Sequence, residues 1–176
     1  NSSVAVAPDG TTTADKVVEN TLSDNHYVQS NNISVTGPVD ITASVYLKKG
    51  ERRYARLRLQ TPAGPRAWFD LETGTRTAKD PATSDATITD VGNGWYRCTI
   101  TEANVSTTSS LTLQIFTQSD SGIQTSYTGD GTSGLYIWGA QVEANADVGP
   151  YVKTTGAAAT KVDAEPLGLL VEESRT

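Results

Sequence analysis

A chain of 176 residues carrying a formal net charge of −6 fits one domain plus flanking connectors, and it lacks the basic surplus with which nucleic-acid binders neutralise phosphates. The same charge disfavours adhesion to a bare anionic membrane, and no apolar run approaches the ~20 residues of a membrane-spanning helix. A single cysteine excludes an internal disulfide, and a core of this size buries roughly 70% of the unfolded surface, enough to hold a fold without cross-links or a structural metal.

Thr, Ser, Gly and Tyr are plentiful and helical periodicity is nowhere sustained for three turns, which predicts an all-β domain. In chain order, strand-like runs fall near residues 3–7, 14–19, 26–35, 40–48, 53–60, 66–71, 86–91, 95–101, 111–118 and 134–143. Turn chemistry separates them: Asp9-Gly10, Gly37-Pro38, Lys49-Gly50, Thr73-Gly74, Asn93-Gly94 and Gly129-Asp130-Gly131. Asn93-Gly94 is the clearest, because both residues accept the positive φ angles of a type I′ hairpin turn. Strands of this number and spacing suit a jelly-roll β-sandwich of two antiparallel sheets over residues 1–146. Residues 147–176 read as a connector running away from it, with the apolar stretch 167–171 packing on a neighbouring domain or chain. The short run 156–161 cannot stand as a helix by itself. The chain contains no methionine, which predicts that Asn1 is internal to a longer protein or left by processing.

Alternation assigns faces, since successive side chains of a strand point to opposite sides. Ile41, Ala43, Val45 and Leu47 form one apolar side; Ala55, Leu57 and Leu59, then Ala67, Phe69 and Leu71, then Leu111, Leu113 and Ile115 form others. The opposite sides carry Tyr46; Tyr54, Arg56 and Arg58; Arg66, Trp68 and Asp70; and Gln114, Phe116 and Gln118. Cys98 alternates with Tyr96 and Ile100 and is expected to be a buried, slowly reacting thiol.

No nucleophile elbow, phosphate-binding loop or zinc-ligand spacing is present, and the sole histidine, His26, reads as a surface or turn-satisfied imidazole. Asp9, Asp24, Asp80, Asp90, Asp120 and Asp130 occupy turns, where Asp serves the backbone, so the chain is expected to be no enzyme. Rings set among planar polar groups suit a sugar: a pyranose stacks its C–H face on an aromatic ring, and its hydroxyls take bidentate donors and acceptors. The expected glycan-binding residues are Tyr46, Arg56, Arg58, Trp68, Asp70, Gln114, Phe116 and Gln118, with Trp68 as the principal stacking ring. The bland alternative is that these rings are packed under loops, the connector or another subunit.

Several phrases also carry a resemblance. They are Val6-Ala-Pro-Asp-Gly-Thr-Thr-Thr-Ala-Asp-Lys16, Ala67-Trp-Phe-Asp-Leu71 with Thr73-Gly74, Ile88-Thr-Asp-Val-Gly-Asn-Gly-Trp-Tyr-Arg97, and Tyr127-Thr-Gly-Asp-Gly-Thr-Ser-Gly-Leu-Tyr-Ile-Trp-Gly-Ala-Gln141. With the tail Pro166-Leu-Gly-Leu-Leu-Val-Glu-Glu-Ser-Arg175, they resemble the jelly-roll, carbohydrate-binding-module-like domains of bacteriophage tail and other virion proteins. The resemblance spans nearly the whole chain but rests on turns and core strands, so it speaks to scaffold more than to ligand. It implies a non-catalytic virion module that binds a bacterial surface polysaccharide. The alternative is a decoration or assembly unit whose partners are other virion subunits, homo-oligomeric in the full-length protein. Nucleic-acid binding and membrane insertion are not expected. Modules of the resembled kind often hold a structural calcium, for which Asp9, Asp15 and Glu143 are the candidates here.

Overall fold

A computed structural model of the chain describes residues 2–119 and 126–154. Among these the regular elements are all strands: β1 (Asp15–Val18), β2 (Ser23–Asp24), β3 (Tyr27–Gln29), β4 (Ile33–Val35), β5 (Val39–Lys49), β6 (Tyr54–Gln60), β7 (Arg66–Asp70), β8 (Thr75–Lys79), β9 (Ile88–Gly92), β10 (Trp95–Val105), β11 (Thr108–Gln118), β12 (Tyr127–Thr128) and β13 (Gly134–Glu143). One sheet runs β1-β13-β5-β10-β9 and the other β3-β11-β6-β7-β8, with β4 also paired to β11. A small ribbon joins β12 to β2. All of these pairings are antiparallel. The molecule is an antiparallel β-sandwich.

Its core is where alternation puts it. Ile41, Ala43, Val45, Leu47, Cys98, Ile100 and Leu135 of the first sheet pack against Ala55, Leu57, Leu59, Ala67, Phe69, Leu111, Leu113 and Ile115 of the second. Register locks these sets together: Leu57 stands opposite both Ile115 and Ala67, and Val45 opposite Cys98. Sliding any of these strands by one residue would turn its apolar set to solvent, which is what holds the register. Asn93 (φ 54°) and Gly94 (φ 76°) make the expected positive-φ pair between β9 and β10.

Some expectations change. The run at 3–7 contributes only a bridge from Ala5 to Ala14. The run at 26–35 breaks into β3 and β4, both lying on β11, with Ser30 Oγ accepting the Leu113 N–H at 3.1 Å. Strand β8 was not expected, because Thr75–Lys79 has no apolar face; its backbone completes the β7 edge of the second sheet. Residues 147–152 do not run away from residue 147. Gln141 Nε2 donates to the Pro150 carbonyl at 3.2 Å, the Val152 N–H donates to Gln141 Oε1 at 2.9 Å, and the Tyr151 ring lies 4.6 Å from that of Trp138. The expectations for 156–161 and 167–171 lie outside the described residues.

One correction bears directly on function. Strand β5, with Tyr46, belongs to the first sheet, whereas β6, β7 and β11, with the other candidates, belong to the second. The non-core faces of the two sheets lie on opposite sides of the sandwich, so Tyr46 is separated from the rest.

Candidate functional site

Antiparallel register aligns side chains of neighbouring strands in rows, because directly opposite residues point to the same face. On the outer side of the second sheet one row runs Gln29, Gln114, Arg58, Arg66, and the next runs Tyr27, Phe116, Arg56, Trp68, Ala78. A third carries Gln118, Tyr54, Asp70 and Thr75. Over the first two rows opens a cavity of about 310 Å³, lined by Asn25, Tyr27, Arg56, Arg58, Arg66, Gln114 and Phe116.

The lining is preorganised by its own contacts. The Tyr27 and Phe116 rings lie 4.7 Å apart at an interplanar angle of 33°, and Tyr27 is 45% exposed while Phe116 is buried. The Arg56 guanidinium rests 3.7 Å from the Phe116 centroid and donates from Nη2 to Asn25 Oδ1 at 3.1 Å. Gln114 donates through Nε2 to Gln29 Oε1 (3.1 Å) and Gln60 Oε1 (2.9 Å), and its Oε1 accepts a long bond from Arg58 Nη1 at 3.4 Å. Burial, together with the neighbouring charges of Arg66 and Arg58, pushes Arg56 down to about 10, still protonated at neutral pH. The cavity therefore offers an aromatic platform, planar amides and guanidinium forks. Its lining contains no carboxylate.

Four of the sequence-predicted residues meet here: Arg56, Arg58, Gln114 and Phe116. The others do not. Trp68 shares a row with Arg56 but is only 9% exposed and lies outside the lining, its Nε1 buried without a partner. Asp70 is buried and holds the Arg53 guanidinium in a two-pronged pair while accepting the Glu72 N–H at 2.9 Å. Gln118, 1% exposed, donates to the Thr117 carbonyl. Tyr46, on the opposite side of the sandwich, packs edge-on against Trp138 (5.3 Å) and Tyr151 (6.2 Å). Tyr46 and Trp138 belong to a small second cluster around Trp95 and Ala14, pinned by Trp138 Nε1 donating to Thr13 Oγ1 at 3.0 Å. The principal exposed ring is Tyr27, not Trp68.

Asn25, Tyr27 and Arg66 were missed as lining residues. Alternation did place Arg66 outward, and the same rule applied to the run at 26–35 would have aligned Tyr27 with Gln29; that this run borders β11 left no local mark.

No protein-family model matches the chain, and no curated protein matches it. Beside the sandwich ends, Glu19 is buried and receives Arg52 Nε (2.9 Å) and Nη2 (2.6 Å), the Tyr127 hydroxyl (2.7 Å) and the Asp130 N–H (2.8 Å). Burial works against the Glu19 anion, but these donors outweigh it and hold its carboxyl below the usual value. His26 is buried rather than superficial: its Nε2 lies 3.0 Å from the Tyr127 carbonyl, and its ring meets Tyr127 edge-on at 4.6 Å. The calcium candidates serve the backbone separately. Asp9 caps the Thr11 N–H, Asp15 the Ser3 N–H and Glu143 the Gly149 N–H. Among the described residues no group of three His, Cys, Asp or Glu side chains is placed to hold a metal ion.

Proposed function

We propose that the chain is a non-catalytic, jelly-roll-like virion module that binds a bacterial surface glycan in the cavity over β3, β11, β6 and β7. The observation that carries this reading is the Tyr27–Phe116 pair bordered by Asn25, Gln114 and three arginines in one open cavity. An exposed ring stacks on the C–H face of a pyranose, and amides and guanidiniums bracket its hydroxyls. The volume of about 310 Å³ is at the lower end of the roughly 300–1,000 Å³ usual for small-ligand sites, enough for one or two sugar units. The phage assignment comes from the resemblance in the turns and core strands, and the cavity is compatible with it.

Such an open site supports weak single-site binding, with a dissociation constant of roughly 1 mM to 1 μM. Useful adhesion then comes from several copies on one virion, where effective concentration multiplies weak contacts. The test is an array of bacterial surface polysaccharides probed with the chain, repeated with Tyr27→Ala. Binding that Tyr27→Ala abolishes supports the reading. If Tyr27→Ala leaves glycan binding intact but shifts the oligomeric state, the face is a contact between virion subunits and the assembly reading replaces this one.

A further inference from the structure

The acidic surplus of the chain is spent unevenly. Arg52 and Arg53 each meet a carboxylate, Glu19 and Asp70 respectively. Arg56, Arg58 and Arg66, the next arginines along the chain, form no ion pair with any described residue although acidic side chains outnumber basic ones by 20 to 14. Their neighbours are one another: Arg58 stands directly opposite Arg66 across β6 and β7, and Arg56 precedes Arg58 by two residues on the same face. Like charges set directly opposite in a sheet are destabilising, and burial deepens the cost. Arg56 is only 4% exposed and its Nε has no partner, nor has Nε of Arg58. The groups that do bond to these arginines, Asn25 Oδ1 and Gln114 Oε1, are neutral.

Three converging guanidiniums with spare donors and no counter-charge, in a chain of net charge −6, make a local site for an oxyanion. We infer that the saccharide bound in this cavity is acidic, with an oxyanion substituent (carboxylate, sulfate ester or phosphate ester) seated among Arg56, Arg58 and Arg66 while its ring stacks on Tyr27. The inference rests on the glycan reading of the same cavity and adds the chemical class of the sugar. The geometry of an arginine fork suits all three oxyanions, because each presents two oxygens at matching spacing. The overall negative charge gives no long-range attraction, so the selectivity is local and is screened by salt only in part.

The test titrates the 176-residue chain, followed by backbone amide shifts, with an oligogalacturonate, its methyl ester, a sulfated and a phosphorylated oligosaccharide, and inorganic sulfate and phosphate. At least one acidic oligosaccharide should bind about tenfold tighter than a neutral counterpart, the value expected from one charge-assisted fork. The tightest of the three names the substituent. Arg66→Gln, at a half-buried position, should bring that ratio close to one by weakening the acidic sugar far more than the neutral one, with the melting temperature held; Arg58→Gln provides a second, independent variant. Equal binding of acidic and neutral sugars by the wild-type chain overturns this inference and leaves the glycan reading standing. Binding of inorganic oxyanions with no saccharide binding at all, or no binding of any probe, overturns both.

Discussion

The guanidinium of Arg56 lies 3.7 Å from the centroid of the Phe116 ring, so a buried cation rests on an aromatic face where a carboxylate would ordinarily stand. The arrangement solves a packing problem and makes a binding surface at once. The ring covers one face of the guanidinium, Nη2 donates to Asn25 Oδ1 at 3.1 Å, and the residue lines the cavity. Phe116→Leu should lower stability by about 1–2 kcal/mol through the lost cation–ring contact. It should also weaken glycan binding, because the ring behind Tyr27 is gone. Urea unfolding and a sugar titration on the same variant check both.

Tyr27 and Trp68 should separate cleanly. Tyr27→Ala, at a 45% exposed position on a short edge strand, should remove most sugar binding and leave the melting temperature nearly unchanged. Trp68→Ala, at a 9% exposed position, should cost about 3–5 kcal/mol of stability by opening a void in the outer face. A Trp68→Ala variant that melts with the wild type would contradict its burial.

Cys98 lies fully buried between the sheets, and burial pushes its thiol well above the usual range. Thiol labelling under native conditions should be slow and limited by opening of the sandwich, and it should accelerate by orders of magnitude in denaturant. Rapid native labelling would place the inner side of β10 at the surface.

The Glu19–Arg52 pair makes the fold sensitive to acid. The folded-state pKa of Glu19 lies below its ordinary 4.5, so its stabilisation is present above that value and is lost as pH falls through the folded-state pKa. Wild-type stability should decline from about pH 5 downward. Glu19→Gln should be weaker at pH 7 by about 1.5–3 kcal/mol, because it removes the charged acceptor of the two Arg52 hydrogen bonds, and should vary less with pH in that window. Urea midpoints measured from pH 7 to pH 3 test the sign. A Glu19→Gln variant as stable as the wild type at pH 7 would refute it.

Gly134 opens β13 where two backbones approach closely. A Cβ there would sit 1.9 Å from the Val17 carbonyl oxygen, a backbone atom that cannot swing aside. Gly134→Ala should therefore break the start of the β1–β13 pairing and lower the melting temperature by several degrees, an effect that Gly10→Ala, with open space around its would-be Cβ, should not match by clash.

The inner faces were legible because burial imposes a local signature. Apolar residues at every second position in 41–47, 55–59, 67–71 and 111–115 can satisfy the hydrophobic effect in one register only, and the structure buries those sets. The Asn93-Gly94 turn was legible for a similar reason, since positive φ is a property of the residues themselves. The outer faces carry no such constraint. A side chain pointing away from the core can be exposed, as Tyr27 is, or covered, as Trp68 and Gln118 are, with the same alternation in either case.

Thus the sequence by itself determined the strand class, the core and the side from which Arg56, Arg58, Gln114 and Phe116 project. Only the tertiary structure decided which strands share a sheet, and with that the composition of the site. Both sheets need an apolar inner face, so a strand's pattern is the same in either, and hydrogen bonds between segments far apart in the chain make the choice. That choice separated Tyr46 from the cavity, brought Tyr27 of β3 beside Phe116 of β11, and set Arg66 opposite Arg58.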